Sequence, residues 1–287
     1  KLKSLEQHRA QYERLIEVFK AHDIGYFFYN GGNDSMDTAW KVSHIAEKMG
    51  YPVVCVGVPK TVDNDLPHTD CCPGFGSVAK YVATSIREAG YDVASMARTS
   101  TKIFVLEVMG RYAGWIAVYA AVAGGADVVL IPEIPFNYES ICNAVLERER
   151  NGKHFTLVVA AEGAKAEGSD FVTFGTQLVN REARLGGIGG VVAKEIEKRT
   201  GKETRAMVLG HLQRGGSPTF MDRVLCTLFG AKAVELITDG RFGRMVAHNG
   251  KFVDSVPLLE AIGKLRTVPP DEGFVRAARA LGISFGD

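Results

Sequence analysis

Residues 57–70 read GVPKTVDNDLPHTD and place Lys60, Asp63, Asp65, His68 and Asp70 directly behind the apolar run 52–59. A carboxylate can accept a proton from a hydroxyl, and a nearby ammonium stabilises charge developing on a transferred group. Asp63 and Asp65, two apart and beside Lys60, are the candidates for such chemistry; as an isolated turn the same text would serve structure alone. Three other stretches carry comparable groups. NGGNDSMDTA (30–39) has a glycine pair that allows tight backbone approach and positive φ, followed by Asp34 and Ser35, residue types that cap a helix. A helix N-terminus behind such a turn can cradle phosphate. In EVMGRYAGW (107–115), Arg111 follows a strand and a glycine, where a guanidinium can take a phosphate bidentately. In ETRAMVLGHLQRGGSP (203–218), Arg205, His211 and Arg214 are read as surrounding a glycine-rich corner. Cations at several strand ends point to a site for an anionic small molecule.

The elements that must hold these groups alternate. Strands are expected at 24–30, 52–59, 102–110, 126–132, 155–163 and 203–210, and helices at 35–49, 76–89, 113–124, 139–151, 188–201 and 222–240. The strands lack polar alternation, which predicts sheets buried on both faces, hence parallel and helix-covered. Strand-then-helix order repeated six times predicts a doubly wound α/β architecture whose ligands lie beyond the carboxyl ends of the strands. The polar, glycine-punctuated stretch 164–187 reads as a loop or insertion, and 241–287 is too weakly patterned to place. The chain opens on a charged amphipathic helix feeding a strand, which reads as the middle of an α/β protein and raises the expectation of missing N-terminal residues.

The chain has 287 residues, enough for one large or two medium domains, and is 46% hydrophobic with a formal net charge of +1. That balance gives no bulk attraction to nucleic acid or to an anionic membrane, so any anionic ligand must be held by local clusters. No stretch is apolar enough to span a bilayer. The five cysteines, Cys55, Cys71, Cys72, Cys142 and Cys226, fit neither a disulfide framework nor a zinc pattern, making a reducing cytoplasm the default. The adjacent Cys71 and Cys72 are read as structural thiols ahead of a metal or redox pair. His68 and Asp70 are read as a solvated loop, His44, His154 and His248 as surface or packing residues, and Trp40 and Trp115 as helical core.

PKTVDNDL, EVMGRYAGW and GHLQRGGSP, in this order, resemble the phosphofructokinase family over about residues 24–240. The resemblance implies two doubly wound, mostly parallel α/β domains flanking an active-site cleft. Residues 1–74 with 213–240 would bind the phosphoryl donor, residues 75–212 would bind fructose 6-phosphate, and 241–287 stays unplaced. It implies phosphoryl transfer to the 1-hydroxyl of fructose 6-phosphate with Mg2+. Asp63 would be the general base, Lys60 would steady the donor and leaving phosphate, and Arg111 would fix the acceptor. Thr61, Val62, Asp65, Met109, Gly110, Arg111 and Glu162 would contact the sugar. His211 and Arg214 would hold its 6-phosphate, with Arg205 reaching in from a neighbouring subunit. The family's second arginine across that interface falls on Lys102, which keeps the charge and loses the fork. A homodimer or homotetramer with shared sites follows.

Gly31, Gly32, Asp34, Ser35 and Lys60 would meet the donor, and Asn33 with Asp63 would hold the metal. ATP-using members commonly carry glycine where this chain has Asp34; a carboxylate there opposes the α-phosphate of ATP and leaves room for pyrophosphate. Pyrophosphate is therefore the expected donor, with a reaction usable in both directions. An ATP-dependent enzyme and a non-catalytic sugar-phosphate-binding regulatory subunit are the alternatives. The family's N-terminal glycine loop for the donor phosphates has no counterpart in this chain.

Overall fold

The computed structural model describes residues 6–173 and 185–287. Part of the stretch read as a loop or insertion, 174–184, lies outside the described residues, as do residues 1–5. Contacts gather the chain into two compact units, Lys1–Phe75 with Pro218–Arg266, and Gly76–Ser217 with Thr267–Asp287.

The first unit carries a four-stranded sheet of order β1-β2-β7-β8, formed by β1 (Tyr26–Gly31), β2 (Val54–Pro59), β7 (Arg244–Asn249) and β8 (Phe252–Pro257). β1, β2 and β7 run parallel, and β8 closes the edge antiparallel to β7. Successive strand residues face opposite sides, and the core clusters follow that rule. Cys55 and Met245 pack with α1 (Arg9–Ala21) and α2 (Asn33–Lys48), while Val56 and Val246 pack with α7 (Phe220–Thr238). Helices therefore cover both faces of this sheet.

The second unit holds a parallel sheet of order β4-β5-β3-β6: β4 (Val128–Leu130), β5 (Thr156–Ala161), β3 (Ile103–Val108) and β6 (Thr204–Val208). Ile103, Val105, Val158 and Ala160 face α5 (Tyr138–Arg150) and α6 (Ile188–Thr200). The opposite face meets α3 (Phe75–Met96) and α4 (Trp115–Gly124): Gly90 of α3 sits where an added Cβ would come 3.0 Å from Leu157 Cδ1. Gly90 thus marks a close helix–sheet contact and does not end the helix, which explains why α3 runs past residue 89.

One expectation needs correction, and the segment left unplaced finds its position. β1 and β6 are edge strands and are not buried on both faces: Tyr26 and Phe28 are 56% and 42% exposed, and only Thr204 of β6 is buried. The segment beyond 240 is structured, since β7 and β8 complete the first sheet, while α8 (Gly273–Ala280) packs on α4 in the second unit.

Candidate active-site residues

In the first unit the residues expected to meet the donor cluster at the carboxyl ends of β1 and β2. The ladder extends to Gly31 opposite Pro59, and the Lys60 N–H donates to the Gly31 carbonyl (2.8 Å). A Cβ at Gly31 would fall 1.9 Å from Ser35 Oγ, so space demands glycine there. Neither Gly31 nor Gly32 has positive φ, and α2 starts at Asn33 with Gly32 as its uncapped N-cap. Asp34 and Ser35 are therefore first-turn residues and do not cap the helix. Asp34 is exposed there, where its charge also suits the helix dipole. Lys60 lines a groove of about 350 Å³ between Phe28, Val58, Pro59 and the α7 residues Phe229 and Val234. Asp63 is not part of that lining.

The TVDND loop is pinned by side chains rather than by regular structure. Asn64, buried with φ +55°, donates from Nδ2 to the Asp70 carbonyl (3.0 Å) and accepts at Oδ1 from the Cys72 N–H (2.8 Å). The Arg266 N–H donates to the Asp65 carbonyl and its guanidinium to the Asn64 carbonyl. Thr69 and Asp70 bond to His248 on β7, and Asp222 of α7 accepts the Gly74 N–H. Thr61 Oγ1 accepts the Asp63 N–H (3.2 Å). Burial pushes the Asp65 carboxyl above its ordinary range; its own N–H and Thr61 oppose this, and the charge of Asp34 adds to it. Asp34, Thr61 and Asp65 thus share one electrostatic neighbourhood. His68 and Asp70 are exposed, as a solvated loop requires. Val62 packs beside Gly74.

No cluster of three or more His, Cys, Asp or Glu placed to hold a metal occurs among the described residues. Asn33 Oδ1 is nevertheless buried and makes no hydrogen bond, an unspent acceptor at the turn where a cation ligand is expected. A hard cation that takes amide and carboxylate oxygens fits it.

In the second unit the residues expected to contact the sugar lie at the carboxyl ends of β3, β5 and β6. The Glu162 N–H donates to the Val108 carbonyl and the Gly163 N–H to the Gly110 carbonyl, carrying the β3–β5 pairing past the sheet. Gly110 has φ +135°, and a Cβ at Gly163 would lie 2.0 Å from the Arg111 carbonyl oxygen. Arg111 lies over the Tyr112 ring at 5.4 Å. The exposed His211 and Arg214 occupy a 3-10 turn, Gly210–Arg214, directly after β6. Arg205 is not at that corner: it pairs with Phe104 near the start of β6, and the intervening residues are extended, so the strand carries it to the sheet's other end. Lys102 lies at that same end, 3.6 Å from Glu149, and Arg205 donates to Glu203 (3.0 Å).

The phosphofructokinase family description matches residues 1–237. The chain belongs to the phosphofructokinase family. It is 56% identical over 219 residues to the pyrophosphate–fructose 6-phosphate 1-phosphotransferase of Methylococcus capsulatus, covering 75% of this chain and 52% of that protein. It is 43% identical over 276 residues to the ATP-dependent 6-phosphofructokinase of Chloroflexus aurantiacus, covering 96% and 73%. The crystal structure of the pyrophosphate-dependent phosphofructokinase from Marinobacter aquaeolei superposes with a TM-score of 0.79 at 44% identity, covering 90% of this chain and 65% of that one. The chain therefore spans about half to three-quarters of the length of these relatives.

Sequence reasoning overlooked Asn64, Asp222, Arg266, Glu107 and Gln213, whose side chains tie the loops by hydrogen bonds. Asn64 and Gln213 lie inside the quoted motifs, and their amides, each able to donate and accept, were the available signal.

Proposed function

We propose that this chain transfers a phosphoryl group from pyrophosphate to the 1-hydroxyl of fructose 6-phosphate, reversibly, as a cytoplasmic enzyme of sugar-phosphate metabolism. The observation that carries the reading is the clustering of Met109–Arg111, Glu162, His211 and Arg214 at one end of one sheet, the arrangement that a sugar phosphate needs. Asp63 takes the hydroxyl proton, Lys60 compensates charge on the donor and leaving phosphate, and Arg111 orients the acceptor. Thr61, Val62, Asp65, Met109, Gly110 and Glu162 contact the sugar, and His211 and Arg214 hold its 6-phosphate. Gly31, Gly32, Asp34 and Ser35 shape the donor position. Asn33 and Asp63 would hold Mg2+, which supplies neutralisation of phosphate charge. Such chemistry depends on placement and charge more than on covalent work. Lys102 and Arg205, at the other end of the sheet, serve a neighbouring copy's site, which makes the protein a homo-oligomer. The first unit binds donor and the second binds sugar.

Steady-state assays with pyrophosphate and with ATP test the donor. Turnover is expected with pyrophosphate, and the double variant Asp34→Gly, Lys60→Gly is expected to admit ATP; an unchanged preference would overturn the role given to Asp34. Asp63→Ala is expected to lower kcat by about 10²–10⁴-fold while fructose 6-phosphate still binds. Retained turnover in that variant would favour a different base. The ATP-dependent reading has one observation in its favour, the long match to the Chloroflexus aurantiacus enzyme, and the same assays decide it.

A further inference from the structure

The turn that carries His211 and Arg214 makes a short 3-10 helix of five residues with both cations exposed. β6 pairs with β3 only as far as Glu107 opposite Val208, and the backbone then leaves the sheet. Two contacts bridge the gap. The Leu209 N–H donates to the Glu107 carbonyl (3.1 Å). One step further, where the ladder has ended, the side chain of Gln213 takes over: Oε1 accepts the Met109 N–H (3.2 Å) and Nε2 donates to the Gly210 carbonyl (2.7 Å). Gln213 is 1% exposed between exposed neighbours, so it is the turn's one inward anchor. Only one amide orientation satisfies both bonds, because the flipped amide would set a donor against the Met109 N–H.

The strand itself cannot slide to compensate. Glu107, buried on β3, accepts the N–H groups of Gly187 (2.9 Å) and Gly189 (2.8 Å) and thereby fastens β3 to the start of α6. On its other side Met109–Arg111 is gripped by Glu162 and Gly163. The strand end is thus held on both sides, and beyond the Leu209–Glu107 bond the spacing between Met109 and the cationic turn is carried by the Gln213 amide.

We propose that Gln213 is a positioning residue whose side chain sets the register between Met109–Arg111 and the His211/Arg214 turn. Both segments then meet one sugar phosphate at a fixed spacing. The consequence for binding rests on the sugar-phosphate reading above; the register itself does not. Gln213→Leu keeps the volume and removes both bonds. Hydrogen exchange at the Met109 amide is expected to accelerate, and fructose 6-phosphate affinity to fall by about tenfold to a hundredfold, the scale of an ångström-level misplacement. Gln213→Glu supplies the second arm. A protonated carboxyl can accept and donate as the amide does, so its affinity relative to the unchanged protein should recover as pH falls and the buried acid protonates. An unaltered Met109 exchange rate in Gln213→Leu overturns the proposal whatever binding shows. Binding within about twofold of the unchanged protein, or a Gln213→Glu ratio flat with pH, overturns the positioning role. If the unchanged protein fails to bind fructose 6-phosphate while Gln213→Leu still frees the Met109 amide, the sugar reading falls and the register lock stands.

Discussion

Between the two candidate aspartates, Asn64 adopts φ +55° and spends both ends of its amide on the loop behind them. Asparagine tolerates that backbone region better than most residues. Asn64→Ala therefore loses twice, leaving the Cys72 N–H without its acceptor and straining the backbone, and should cost about 2–3 kcal/mol in urea unfolding. Asn64→Gly should recover only the strain. Asp65 supplies a pH-dependent counterpart. Its folded-state pKa lies above the ordinary carboxyl value because burial outweighs its hydrogen bonds. The folded protein then holds more protons than the unfolded chain between those two values, so this group removes stability as pH rises through that window. Asp65→Asn should flatten the slope of stability between acid and neutral pH; an unchanged slope would show the carboxyl to be better solvated than its surroundings indicate. At this scale the candidate groups stood out in the sequence because acids and cations recur behind several apolar strands of one chain. Asn64 did not, since its partners lie at Asp70 and Cys72 and depend on a loop path that no local pattern encodes.

The elements were legible wherever hydrophobic runs alternate with helical spacing, and each miss has a local cause. The helix expected at 76–89 runs on through Gly90 to Met96, although glycine weakens helices, with Gly90 close against Leu157. Asp34 and Ser35 were read as caps from residue type, yet the helix starts at Asn33 with Gly32 as N-cap, which places both in its first turn. Arg205 was assigned to the wrong end of its strand because text distance was read as spatial distance. Gly163 carries the clearest prediction among the elements. A Cβ there would sit 2.0 Å from the Arg111 carbonyl oxygen and 3.0 Å from that of Gly110, both backbone atoms that cannot rotate away. Gly163→Ala must push the end of β5 from the end of β3, costing about 1–3 kcal/mol as overpacking. Thermal unfolding should show that loss, and calorimetry should show weaker fructose 6-phosphate binding. Wild-type affinity in a folded Gly163→Ala protein would mean that Glu162 and Arg111 do not act on one ligand.

At the scale of the whole molecule, the near-zero net charge implies that any anionic ligand is held locally, and Lys60, Arg111, His211 and Arg214 do lie just beyond the carboxyl ends of β2, β3 and β6. Sheet order was not legible, because β7 and β8 come from a stretch with no clear periodicity, β7 pairing with β2 across about two thirds of the chain and β8 pairing with β7. The cysteines give a molecule-wide test of that assembly. Described as free thiols, they differ sharply in setting. Cys55 and Cys72 are buried in the core shared by α1, α2 and the first sheet, and burial pushes Cys55 to about 12 and raises Cys72 strongly. Cys71 is raised to about 11 by burial, with Asp222 adding to it, and Cys142 is raised by burial. Cys226 alone is exposed, on α7, though burial and Asp222 also raise its pKa. Because the thiolate is the reacting form, an aromatic disulfide reagent at pH 8 should titrate one thiol, more slowly than free cysteine, and all five only after denaturation. Two prompt thiols would instead mean that the loop 69–74 opens in the native state. In that case the ties from Asn64, Thr69 and Asp222 would be too weak to hold Asp63 and Asp65 in place.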